Sequence, residues 1–156
     1  MIKAEETLTF WLFVFAYGSS VILSLIDYFF LKIVSFPESL AVVYFCIFAL
    51  GFVIRLNTRR SLGKHFNLNI VIREDHTVVD EGLYKKVRHP MYFANLLIFV
   101  GFAGALSSAL GILAVILFVI PVTMLRIVRE ERALLNKCKA YKEYCERTYR
   151  FVPSVW

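Results

Sequence analysis

Residues 84–93 read YKKVRHPMYF and run straight into the apolar LLIFVGFAGAL. Lys85, Lys86, Arg88 and His89 crowd in front of a helix-breaking Pro90, with Tyr84 and Tyr92 on either side. Histidine and cationic side chains can bind or protonate polar groups, and tyrosine rings offer π faces to a cation. A second candidate is Arg126 with Glu130, four apart and therefore on one helix face. A third is His76-Thr77-Val78-Val79, just upstream of the first.

Taken singly, each has an ordinary explanation. Basic residues before an apolar span set membrane orientation. An Arg/Glu pair at this spacing stabilises a helix by about 0.2–0.5 kcal/mol. The three histidines, His65, His76 and His89, match no compact metal-binding spacing, so no metal site is expected. Cys46, Cys138 and Cys145 form no CxxC pair and give no disulfide framework, and they read as small packing residues.

The elements that must position these residues follow from composition. Of the 156 residues, 59% are hydrophobic, too apolar for an ordinary soluble domain. The net charge of +6 sits at the ends of apolar runs, which points to lipid head groups and not to nucleic acid. A first span covers residues 8–31, too long for a cleaved signal, with Asp27 near its far end, where it either reaches the interface or pairs inside the bundle. KIVSFPE turns the chain into a second span, residues 39–56, with Arg55 at its exit. A polar stretch, 57–91, holds all three histidines; within it VIREDHTVV has strand-like alternation but no partner, and Asp80-Glu81-Gly82 reads as a turn.

The apolar run from Met91 to Val128 is too long for one span and folds at ALSSALG into a hairpin, 92–106 and 109–128, with a short first limb. Pro121 should kink the second limb. Leu134, Leu135, Cys138, Tyr141, Tyr144 and Thr148 then recur at helical spacing, giving an amphipathic tail helix that Pro153 stops. The expectation is an all-α polytopic membrane protein of about four transmembrane helices, the last two a hairpin. It forms one membrane domain over 1–156: two N-terminal helices to residue 56, then a core over 57–156. Lysine and arginine crowd the 57–91 loop and the tail, which places both on the cytoplasmic face of a multi-pass protein.

The order LGKHF, HTVVDEGLYKKVRHPMY, hydrophobic hairpin, RIVREERALL, paired tail tyrosines and RFVP resembles the isoprenylcysteine carboxyl methyltransferase family. These are integral-membrane, S-adenosylmethionine-dependent enzymes related to phospholipid methyltransferases. The resemblance covers about residues 59–153. It implies that His76, Thr77, Val78, Val79, Tyr84, His89, Pro90, Met91 and Tyr92 line the cofactor site and that Glu130 contacts the cofactor. It further implies that Arg126 faces the substrate, so that Arg126 and Glu130 carry the catalysis. Val71 stands near where the family has a glutamine and offers only backbone there.

The residue types agree with these roles. Tyr84 and Tyr92 suit an adenine or a sulfonium, and Glu130 complements positive charge. No glycine-rich nucleotide fingerprint is present, so loop and tail must hold the cofactor against helix ends. The acceptor implied is lipophilic and enters from the bilayer past Gly101 and Gly104. The family name suggests a prenylated cysteine carboxylate; a phenolic or polyketide lipid, or a phospholipid amine, is the alternative. A hydroxyl acceptor would need a base from among Glu130, Glu131 and His89. An NADPH-dependent reductase-like enzyme and a non-catalytic membrane adaptor are the rivals from other classes. Oligomeric state is not written in these residues.

Overall fold

The computed structural model of the chain describes residues 2–62 and 80–151. His76, Thr77, Val78, Val79, Val71, the VIREDHTVV segment and Pro153 lie outside the described residues.

The described residues are helical apart from turns and short connections. α1 spans Ile2–Ile26 and ends in a π turn, Asp27–Leu31. α2 spans Glu38–Leu62, α3 Pro90–Ala105 and α4 Ala109–Ala114. A second π turn, Val115–Val119, leads into α5, Ile120–Lys137, and α6 follows over Lys139–Arg147. Three helical stretches among the described residues, Thr7–Leu31, Glu38–Leu62 and Ala109–Asn136, are long and apolar enough to cross a membrane. α3 is apolar but shorter, matching the expected short limb. The architecture is that of an integral membrane protein. Pro121 sits in the first turn of α5, directly after the π turn.

The hairpin turns where the small residues foretold. Ser107 takes a left-handed φ of 52°, and the Ser108 hydroxyl accepts from Gly111 N at 2.9 Å to cap α4. Asp27 pairs inside the bundle and does not reach the interface. It is 1% exposed and accepts from Ser108 Oγ at 2.9 Å, Leu110 N at 3.1 Å and Ile33 N at 3.1 Å. One carboxylate thus ties the end of α1 to the start of α4, where it also meets the positive end of that helix.

α2 packs along α3, whereas α1 packs on α3, α4 and α5 and barely touches α2. The α2/α3 approach runs through glycines. A Cβ on Gly101 would stand 2.4 Å from Phe48 N, and one on Gly104 2.2 Å from the Tyr44 ring. This overturns the expected lipid path past Gly101 and Gly104, because α2 fills that face. α1 and α2 pack on different faces of the bundle around α3, and both line one cavity.

Two boundaries also differ from expectation. α2 continues to Leu62, so Arg55 lies within the helix and not at its exit. The polar run Asn57–Ser61 ends the apolar pattern without ending the helix, because the backbone needs no membrane to stay helical. The tail is two helices where one was expected: α5 runs out of the apolar region unbroken to Lys137. Cys138 is then extended (φ −127°, ψ 105°), and α6 folds back. Leu134 packs with Tyr141 and Tyr144 across that bend, with Cys138 and Cys145 at the edge as packing residues. α6 then delivers the chain end to the 80–89 loop. Arg88 N donates to Tyr149 O at 2.9 Å, Tyr149 N to Lys86 O at 2.9 Å, and His89 N to Arg150 O at 3.2 Å.

Candidate active site

The cluster around Pro90 is built by its neighbours in sequence. Gly82, with φ of 55°, opens a single 3-10 turn, Gly82–Lys85, that buries Tyr84. Pro90 opens α3, where its missing N–H costs nothing, and the preceding residue, His89, stays out of the helix. His89 is 4% exposed.

Glu131 is the hub that fixes this turn to α5. It is 3% exposed and accepts from Arg88 Nε at 2.8 Å and Arg150 Nε at 2.6 Å, with His89 Nε2 at 3.3 Å. Arg88 turns its remaining donors to the end of α6, giving Nη1 to Cys145 O at 3.0 Å and to Thr148 O. Tyr144 Oη donates to Tyr84 O at 2.6 Å, and an exposed Arg147–Asp80 pair at 2.7 Å closes the rim. Arg88 and His89 of the basic knot are therefore spent on holding loop, tail and α5 together, while Lys85 and Lys86 are exposed.

Burial pushes the Tyr84 phenol well above its ordinary value, and the nearby Glu130 carboxylate and Tyr144 add to that shift. Tyr144 is raised by burial and then by Asp80. Tyr141 is raised by burial and then by Glu131. All three phenols are neutral hydrogen-bonding and packing groups at physiological pH.

Below the hub, α5 and α3 present a connected line of polar groups. Arg126 Nε donates to Tyr92 Oη at 3.0 Å, and Tyr92 Oη donates to Glu130 Oε2 at 3.0 Å. Glu130 Oε2 is 4.0 Å from His89 Nδ1. The Arg126 guanidinium is 6% exposed for its residue and lies 4.9 Å over the Phe13 ring of α1, a cation–π contact. These groups border a cavity of about 300 Å³, at the lower end of small-molecule sites. Its apolar wall is Phe10, Phe13 and Val14 of α1, and its other walls come from α2, α3, α5 and the 3-10 turn.

Of the site residues expected from sequence, Tyr84, His89, Met91, Tyr92, Arg126 and Glu130 come together around this cavity. Pro90 is buried and acts by starting α3. Glu131, named as a candidate base, is instead enclosed by Arg88, His89 and Arg150, so it is committed to the fold. Sequence reasoning missed Arg55 and Asn95, which line the cavity and bond to each other. Asn95 carried a readable signal, an amide within an apolar run three residues beyond Tyr92. Arg55 was hidden by the misplaced end of α2.

A profile of the isoprenylcysteine carboxyl methyltransferase (ICMT) family matches residues 42–136, which takes in α2, the loop, α3, α4 and α5. The cobalt-zinc-cadmium resistance protein CzcN of Cupriavidus metallidurans is 34% identical over 84 residues, 53% of this chain and 38% of that protein. The solved structure of a eukaryotic intramembrane Ras methyltransferase, ICMT, superposes with a TM-score of 0.70 at 26% identity. The match covers 91% of this chain and 52% of that one. The chain thus spans about half the length of that structure and less of CzcN.

Proposed function

The chain belongs to the isoprenylcysteine carboxyl methyltransferase family, and from that premise we propose that it is a membrane methyltransferase using S-adenosylmethionine. The acceptor we propose is lipophilic and carries a carboxylate, as a prenylated cysteine does. The observation that carries this reading is the Arg126–Tyr92–Glu130 line, bordering a cavity with an apolar wall from α1.

The residues present fit the cofactor. Glu130 is a carboxylate at the cavity edge for an ammonium or sulfonium charge, and Tyr84 and Tyr92 supply rings for adenine or sulfonium contact. When bound, S-adenosylmethionine supplies an electrophilic methyl group on a cationic sulfur. Glu130 holds the cationic side of the reaction, and Tyr92 fixes the Glu130 carboxylate through its hydroxyl. Arg126, aligned by Tyr92 and Phe13, would hold and orient the acceptor carboxylate. A carboxylate is already a nucleophile, so no side chain has to remove a proton, and rate enhancement comes from positioning and from exclusion of water. For a hydroxyl acceptor, Glu130 and His89 remain as bases, because Glu131 is committed to Arg88 and Arg150.

The acceptor tail would lie along Phe10, Phe13 and Val14, the apolar lining that α1 supplies. The lysines and arginines of the loop and tail support a site on the cytoplasmic side by the positive-inside rule. The test is transfer of labelled methyl from S-adenosylmethionine to N-acetyl-S-farnesylcysteine by the protein in nanodiscs, with base-labile methyl ester as product. Transfer to the carboxylate is expected, and Arg126→Ala and Glu130→Ala should each abolish it. Full activity in both variants would sink the role assignment, and transfer only to a phenol or an amine would replace the acceptor class.

A further inference from the structure

Residues 1–38 carry Lys3 and Lys32 against Glu5, Glu6, Asp27 and Glu38, so the +6 net charge lies wholly in the rest of the chain. The turn between α3 and α4 holds no charge. The later charges fall in the last two turns of α2, in the connection to α3, and from Arg126 to the chain end. The excess of cations therefore gathers at one end of the bundle, the end that holds the cavity.

Two basic pairs meet there. Gly82 sets the 3-10 turn against the end of α2, where an added Cβ would stand 3.0 Å from Ser61 Oγ. Tyr84 of that turn and Leu62 of α2 both line the cavity. Arg59 lies three residues before Leu62 and so on the same helix face, with Arg60 next to it. Lys85 and Lys86 follow Tyr84 directly. All four are exposed, and neither lysine makes an ion pair among the described residues.

Acids do not balance this rim. Asp80 is paired with Arg147 at 2.7 Å, and Glu131 is shared by Arg88 and Arg150. Glu143 and Glu146 are on α6, which gives no residue to the cavity wall. Glu81 is exposed beside the lysines, one acid against four cations. Membrane orientation requires only a cation excess on this side. Placing four beside the cavity does more, because a cationic chain that follows its lipid into the site comes within the Debye length, about 8 Å at physiological salt.

We infer that this rim selects the acceptor by the charge of whatever is attached to it. The protein takes a free amphiphilic acid, or one at the end of a neutral or acidic chain, and turns away a lysine-rich chain. Arg59, Arg60, Lys85 and Lys86 determine that choice. Specificity of this kind penalises the wrong partner and leaves the contacts of the right one untouched. The inference rests on the preceding reading for the identity of the cavity as an acceptor site, but its test requires no turnover.

The experiment is equilibrium binding of three peptides to the full chain in phosphatidylcholine nanodiscs, with empty nanodiscs as the background. Each peptide ends in S-farnesylcysteine with a free carboxylate, preceded by four lysines, four serines or four glutamates. Calorimetric binding of S-adenosylmethionine runs alongside. At low salt the serine peptide should bind about tenfold or more tightly than the lysine peptide, and the glutamate peptide at least as tightly as the serine one. The ratio should shrink to about twofold at 0.5 M salt, where screening shortens the reach of the rim. A Lys85→Glu/Lys86→Glu protein should lose most of the discrimination, and Lys85→Gln/Lys86→Gln about half of it on a logarithmic scale. Affinity for N-acetyl-S-farnesylcysteine and for S-adenosylmethionine should stay within about twofold in both variants, as expected of side chains outside those contacts.

Lysine and serine peptides that bind wild type alike would overturn the inference, as would a difference that salt does not reduce. So would a charge-reversed protein that keeps the wild-type ratio, or binding of no peptide above the empty-nanodisc background. Failure of the methyltransferase reading shows separately, as wild-type protein that binds no S-adenosylmethionine while its serine-to-lysine ratio is still measurable.

Discussion

The Tyr92 hydroxyl donates to Glu130 at 3.0 Å while accepting from Arg126 at 3.0 Å, so one phenol on α3 sets both charged groups of α5. Tyr92→Phe keeps the ring and removes both bonds. Methyl transfer should fall about tenfold or more, the equivalent of one lost bond to a charged group, while the unfolding temperature changes little. Steady-state kinetics beside thermal unfolding checks this; unchanged kinetics would show that Arg126 and Glu130 need no alignment.

The two neighbouring glutamates should behave oppositely. Glu131→Gln removes the anion enclosed by Arg88, His89 and Arg150 and should destabilise the protein by roughly 3 kcal/mol. Glu130→Gln, at the cavity edge, should leave unfolding nearly unchanged and abolish activity. Detergent-phase thermal unfolding of both variants, with activity on the same samples, separates the roles. Equal losses of stability would contradict the division.

The contrast was only half legible in the sequence. RHPMY, the Arg126/Glu130 spacing and the hairpin signal at ALSSALG were all local, and each reappears where its residue types require it. The partition of Glu130 and Glu131 between site and scaffold was not local. It depends on the bend at Cys138, which brings α6 back and delivers Arg150 and the Thr148 carbonyl to the Pro90 turn. The inward pull on Arg55 was equally invisible, because it comes from Asn95 on another helix.

Close helix approach gives a third prediction. Gly101→Ala would force a Cβ to within 2.4 Å of the Phe48 backbone, separating α2 from α3 and moving Arg55 with it. A loss of about 1–3 kcal/mol is expected from such overpacking. Gly18→Ala on α1 meets nothing within 4 Å and should be neutral or slightly stabilising, since alanine favours helix over glycine. Unfolding temperatures of the two variants decide it, and a well-tolerated Gly101→Ala would contradict the packing.

Alkaline titration supplies the fourth. The phenols of Tyr84, Tyr141 and Tyr144 are raised, chiefly by burial, above the value of about 10 they take in the unfolded chain. Raised folded values mean that their stabilising contribution is fully present below about pH 10 and is lost progressively as pH climbs from there through the folded values. Tyrosinate absorbance near pH 11 should therefore be clearly lower in the folded protein than in denaturant, where about nine-tenths of the eight tyrosines ionise. Full ionisation of the folded protein with an ordinary midpoint would contradict the burial of the loop–tail contact.

Calorimetric titration of S-adenosylmethionine and its demethylated product into the detergent-purified protein, wild type beside Glu130→Ala, tests whether the cavity holds the cofactor. Saturable binding in wild type, lost in the folded variant, is the predicted result. Folded wild-type protein that binds neither compound would contradict the assignment of the Arg126–Tyr92–Glu130 cavity as a methyltransferase site.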